Sequence, residues 1–135
     1  MPMFSATTSK WEVLPQNQST IVKYDNVAYD TAKMYDTKTF TAKVPKDGVY
    51  HIDARTGIAQ TGFFSQYTAY ISIFKESVRT RGTDNDRHLP RPSLSVDLLL
   101  KKNDEINIRA FCSDQRNYGG ESTLSEFSMR LVGII

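Results

Sequence analysis

Apolar and polar residues alternate with a period of two along most of this chain, and no stretch holds the stripe of an amphipathic helix. In residues 49–55, Tyr50, Ile52 and Ala54 fall on one side and His51, Asp53 and Arg55 on the other, as a half-buried strand requires. Residues 67–74 repeat the pattern, with Tyr67, Ala69, Ile71 and Ile73 on one face. Leu94, Val96, Leu98 and Leu100 oppose Ser93, Ser95 and Asp97. After a turn at residues 101–104 come Ile106, Ile108 and Ala110, and near the C-terminus Phe127, Met129 and Leu131 alternate with Ser128 and Arg130. Weaker strands are expected at residues 4–8, 21–25 and 35–43.

The breaks between these segments are rich in turn formers. Pro45 has no N–H for a sheet ladder and Gly48 permits a tight reversal, so residues 40–50 read as two strands joined by a short turn. Two longer loops are expected, at residues 76–92 and 113–123, and residues 9–20 read as an irregular N-terminal arm. Short strands with such spacing predict an all-β, antiparallel sandwich or jelly roll. No internal repeat or linker divides it, so residues 1–20 form a first strand and arm of the same domain whose body is residues 21–135.

Composition narrows the function more than the fold. At 135 residues, with 39% hydrophobic and 24% charged, the chain can bury a core without metal or disulfide staples. Seventeen basic against fifteen acidic residues leave a net charge of +2, too balanced for a nucleic-acid-binding domain. The single cysteine, Cys112, excludes an intrachain disulfide framework. The first residues, Met1-Pro2-Met3-Phe4, lack the basic and apolar run of a secretory leader, which suggests a protein made without such export, or a fragment.

Five blocks in order resemble the globular domain of the complement C1q and tumour necrosis factor superfamily. They are Phe4-Ser5-Ala6; Tyr35-Asp36 followed by Phe40-Thr41-Ala42; Pro45, Gly48, Val49 and Tyr50; the run from Leu94 to Leu100 with Asn103-Asp104; and Phe127-Ser128-Met129-Arg130-Leu131. Asn103 and Met129 stand where that family usually has glycine, and no Gly-x-y stalk precedes the blocks. The resemblance implies a ten-stranded jelly roll that assembles as a homotrimer through aromatic and apolar side chains. Tyr70, Phe74 and Phe111, on the second face of strands whose first face fills the sandwich, are the expected trimer-interface residues, together with Met129.

Candidate chemistry is thin. Cys112 and His51 lack the orienting group and oxyanion donors of a thiol catalyst, so no catalytic residue is assigned and the chain is read as a non-enzyme. A zinc site would need both His51 and His88 with carboxylates. Thr83, Asp84, Asn85 and Asp86 put oxygen ligands on one loop, and Asp84 and Asp86 are weak candidates for calcium; no other cofactor is expected. Arg79, Arg81, Arg87 and Arg91, with His88, gather positive charge that suits a glycan or an acidic protein surface. Trp11 and Tyr118 are the loop aromatics expected to anchor a partner. The expected function is a structural or binding module at a virion or cell surface: a phage capsid cement or decoration protein docked on a larger assembly. The alternative is a receptor- or carbohydrate-binding tip domain of a phage fibre or of a bacterial surface or spore protein.

Overall fold

The computed structural model describes residues 1–58, 69–82, 92–113, 116–120 and 125–134. Among them are fourteen strands: β1 (Met3–Thr7), β2 (Trp11–Leu14), β3 (Thr20–Ile21), β4 (Asn26–Asp30), β5 (Tyr35–Asp36), β6 (Thr41–Lys43), β7 (Gly48–Arg55), β8 (Gly57–Ile58), β9 (Ala69–Lys75), β10 (Val78–Gly82), β11 (Ser93–Leu100), β12 (Glu105–Cys112), β13 (Arg116–Gly119) and β14 (Glu126–Gly133). A front sheet has the order β11-β7-β14-β1-β4 and a back sheet the order β10-β9-β12-β6-β5, with β3 also on β12. All pairings are antiparallel. The alternation read from the sequence is the alternation of burial. Tyr50, Ile52 and Ala54 of β7 face Ile71, Ile73, Ile106 and Ile108 of the back sheet across one core, while His51, Asp53 and Arg55 point outward.

The count exceeds ten because one expected stretch is divided and because short strands form within the expected arm and loops. Residues 35–43 are two strands separated by a turn in which Phe40 adopts a positive φ of 55°. A third, small sheet, β2-β13-β8, corrects two expectations. The arm at residues 9–20 holds strand β2, and the loop at residues 113–123 holds β13. Trp11 pairs with Gly119 and Leu14 with Arg116. Four-residue strands contain too few alternations to stand out in sequence, and Arg116-Asn117-Tyr118-Gly119 is polar on its face. Likewise β10 lies within the expected loop at residues 76–92.

An aromatic cluster packs within the core. Phe4 stacks on Tyr35 at a centroid distance of 4.9 Å and meets Phe127 edge-on at 5.0 Å, while Tyr24 and Tyr35 reach Phe127 at 5.6 and 5.8 Å. Each buried phenol has a polar partner. Tyr24 donates to the Arg55 carbonyl at 2.9 Å, Tyr35 to the Tyr24 carbonyl at 2.9 Å and Tyr50 to the Lys46 carbonyl at 2.8 Å.

Gly48 begins β7 where Leu131 and the bulge at the end of β14 cross it. A Cβ there would run into Leu131 Cδ1 and lie 2.6 Å from the Gly133 carbonyl oxygen. Gly48→Ala should therefore cost about 1–3 kcal/mol by overpacking, read as a lower urea midpoint at unchanged slope. A midpoint within error of wild type would show that β14 yields at no cost.

Candidate functional site

Two outward faces concentrate the chemistry. On the back sheet, β9 turns Tyr70, Ser72 and Phe74 outward, and β12 turns Asn107, Arg109 and Phe111 outward beside them. Tyr70 and Phe111, opposite each other in the register, stack at 5.0 Å with planes 19° apart. The Arg109 guanidinium lies 4.3 Å from the Phe74 centroid, and that of Arg79, from β10, 4.9 Å from the Tyr70 centroid. Arg79 Nε donates to Ser72 Oγ at 2.7 Å and Arg109 Nε to Asn107 Oδ1 at 3.2 Å. The three rings are half-buried; arginines cover Tyr70 and Phe74, and Tyr70 covers Phe111.

The outer face of the front sheet is a polar lattice. His51 Nδ1 is 2.6 Å from Asp97 Oδ1, and its Nε2 lies 3.2 Å from Asp53 Oδ2 and 3.3 Å from Ser95 Oγ. Serine, histidine and aspartate thus line up as in a hydrolase triad. Asp53 is nearer than Ser95 to the nitrogen that would have to take the serine proton, so the base is already engaged and the group acts as a cross-strand clasp. Nor do the carboxylates converge on one point, since they meet opposite edges of the ring. Among the described residues no group of three or more histidine, cysteine, aspartate or glutamate side chains could hold a metal ion. Alternation placed His51, Asp53, Ser95 and Asp97 outward, but only the β7–β11 register, which sets Asp97 opposite His51, brings them together. Next to them Arg55 pairs with Glu126 at 3.4 Å along a cleft of about 360 Å³.

One end of this face is apolar. Leu99 is 62% exposed and lies opposite Val49, which lies opposite Gly133; Val132, at the bulge of β14, is 49% exposed and Ile134 is 77% exposed.

The expected site residues separate into three groups. Tyr70, Phe74 and Phe111 come together on the back sheet, with Arg79 above them and Arg81 following on β10. Two residues are corrected. Met129 is 1% exposed and lies between Phe127 and Leu131 on the inner side of β14, so it is a core residue and not an interface residue. Tyr118 is also 1% exposed: β13 turns its ring inward, its oxygen accepts from Lys23 N at 3.4 Å, and burial pushes its phenol up to about 12. It therefore presents no loop aromatic to a partner. Trp11 stays 45% exposed, but on strand β2 and not on a free arm. Thr83, Asp84, Asn85, Asp86, Arg87, His88 and Arg91, the calcium candidates and most of the arginine loop, lie outside the described residues. Arg109 was missed, although its place between Ile108 and Ala110 marks it as outward.

The architecture has solved counterparts. The globular domain of a zebrafish complement 1qA protein superposes with a TM-score of 0.63 at 16% identity, over 98% of each chain. An Eiger TNF from S. frugiperda gives 0.63 at 11% identity, over 100% of this chain and 96% of the other. A rabbit GITRL gives 0.56 at 15% identity, over 98% and 94%. No family model matches the sequence, and no curated protein matches it. The likeness is one of fold, reached at identities too low to transfer residues.

Proposed function

From the premise that this chain is a C1q/TNF-like jelly roll, we propose that it is a non-enzymatic homotrimeric module that docks on a larger assembly. The observation that supports this is the apolar end of the front sheet. Leu99, Val132 and Ile134, beside Val49, form an exposed apolar patch on an otherwise polar face, and such a patch is what an interface leaves uncovered in the isolated subunit. We place self-association there and not on the Tyr70, Phe74 and Phe111 face, because Arg79 covers Tyr70, Arg109 covers Phe74, and Phe111 stacks on Tyr70. The three-fold assembly is the one the family resemblance implies.

Light scattering on the eluting peak should give about 46 kDa, three times the chain mass of 15.3 kDa. Leu99→Glu with Val132→Glu should bring the mass down to that of one chain without unfolding it, since both side chains are exposed. A monomeric wild type, or a double variant that keeps the trimer mass, would remove the reading. Within it, a phage capsid with three-fold positions is the assembly such a module would decorate. Particles that bind the purified chain stoichiometrically and lose pressure resistance without it would bear out that assignment; indifferent particles would reject it.

A further inference from the structure

The guanidinium groups of Arg79 and Arg109 have no carboxylate partner among the described residues. Both are nonetheless held. Each lies against an aromatic ring and is tied at Nε, Arg109 to Asn107 and Arg79 to Ser72, side chains that are themselves buried. Arg79 is gripped from a second side by Gly82, where a Cβ would collide with the guanidinium. No hydrogen bond among the described residues uses the terminal nitrogens of either arginine. A planar, pre-oriented fork whose terminal nitrogens bond no described residue is the form in which arginine captures a carboxylate or sulfate with least loss of side-chain freedom.

The two arginines stand on β10 and β12 with β9 between them, on strands about 10 Å apart by two strand spacings. From Arg109 the face continues through Asn107, whose Nδ2 donates to Thr41 Oγ1 at 3.3 Å, into a cleft of about 560 Å³. Lys33, Lys38, Lys43, Thr37 and Thr39 line that cleft, with Asp36 and Glu105 as its acidic members. Positive charge, hydroxyls and an amide thus form one track across the sheet.

We propose that this track binds an acidic polysaccharide, a chain of pyranoses bearing carboxylate or sulfate groups. The anionic groups would meet the arginine forks and the cleft lysines, and the sugar hydroxyls the threonine side chains. A folded protein partner calls for an apolar centre, but here Tyr70 and Phe74 lie beneath guanidiniums and Phe111 stacks on Tyr70. A single-stranded nucleic acid calls for open ring faces; Tyr70 and Phe111 cover each other and Arg109 covers Phe74. This reading is independent of the three-fold assembly.

The full chain would be titrated at low and moderate salt with dextran sulfate and with a polyuronate, and in parallel with neutral dextran, polyglutamate and oligothymidylate. At least one acidic glycan should bind, about tenfold or more tighter than polyglutamate or oligothymidylate, and neutral dextran should not bind. Arg79→Gln with Arg109→Gln should weaken glycan binding about tenfold or more, and Arg109→Lys about threefold, because an ammonium neither stacks nor forks. Lys10→Gln, near Glu12 on the small sheet, should change nothing. If the double variant does not fold, Arg109→Lys and the ligand series decide. The proposal is overturned by wild-type binding in the arginine variants, by equal loss in Lys10→Gln, by polyglutamate or oligothymidylate binding as tightly as the glycan, or by no acidic glycan binding at all. An unchanged mass by light scattering in these variants separates the outcome from any failure of self-assembly.

Discussion

Between pH 10 and pH 12 this protein should lose about 5–6 kcal/mol of stability. Burial holds the Tyr24 and Tyr35 phenols far above their ordinary value, and Tyr50 is raised as well. Below pH 10 the phenols are neutral in both folded and unfolded chains, so their ionisation costs nothing. Above it the unfolded chain gives up these protons and the folded chain keeps them. The unfolded state then binds fewer protons, and stability falls by about 1.4 kcal/mol per pH unit for each such tyrosine. Tyr24 and Tyr35 together take about 3 kcal/mol per unit, against a total of about 5–15 kcal/mol for an ordinary domain. Both donate to backbone carbonyls, bonds that a phenolate cannot make. Urea midpoints measured from pH 9 to pH 11.5 should drop steeply, and Tyr35→Phe should flatten the slope by the share of one phenol. A midpoint flat across that range, or a slope indifferent to the substitution, would show that these rings reach solvent in the folded chain.

Phe127→Ala should cost about 3–5 kcal/mol, enough to leave a marginal domain largely unfolded at body temperature. The ring is the hub of the aromatic cluster, with Phe4, Tyr24 and Tyr35 all within 5.8 Å, and it projects from the middle of the front sheet. Its loss would open a cavity that neither flanking strand can close, since β7 and β1 are paired to β14 on both sides. Phe127→Leu keeps most of the volume and should cost markedly less. Equal losses for alanine and leucine would mean that ring geometry, and not filled space, sets the energy; a loss below about 1 kcal/mol for alanine would mean that the cluster collapses around the gap.

The core was readable because burial on a half-exposed sheet imposes alternation. Residues 49–55, 94–100 and 127–131 show it, and each is a strand with the expected face inward. The strands of the small sheet were not readable, since Trp11–Leu14 and Arg116–Gly119 owe their extended form to pairing with one another. Tyr118 looked like a loop aromatic because Gly119 and Gly120 follow it. Their positive φ values of 99° and 87° in fact end the strand that buries the ring. Met129 obeyed its own alternation, and only the imported family pattern set it at an interface. At the candidate sites the residue types were visible, but the meeting of His51 with Asp97, or of Arg109 with Phe74, depends on cross-strand register and side-chain direction. A single sequence encodes these weakly.

The position of β1 between β14 and β4 has a consequence for how the molecule comes to exist. Ser5 donates to Glu126, a partner 121 residues downstream. The front sheet cannot close until β14 has been synthesised, and until then Phe4, Tyr24 and Tyr35 have no Phe127 to cover them. Topologies dominated by such distant pairings fold slowly, with sticky strands open in the meantime. While the chain emerges from the ribosome, β1 and its aromatic neighbours therefore stay unpaired until β14 has emerged as well, and crowding or chaperone supply in that interval governs the yield.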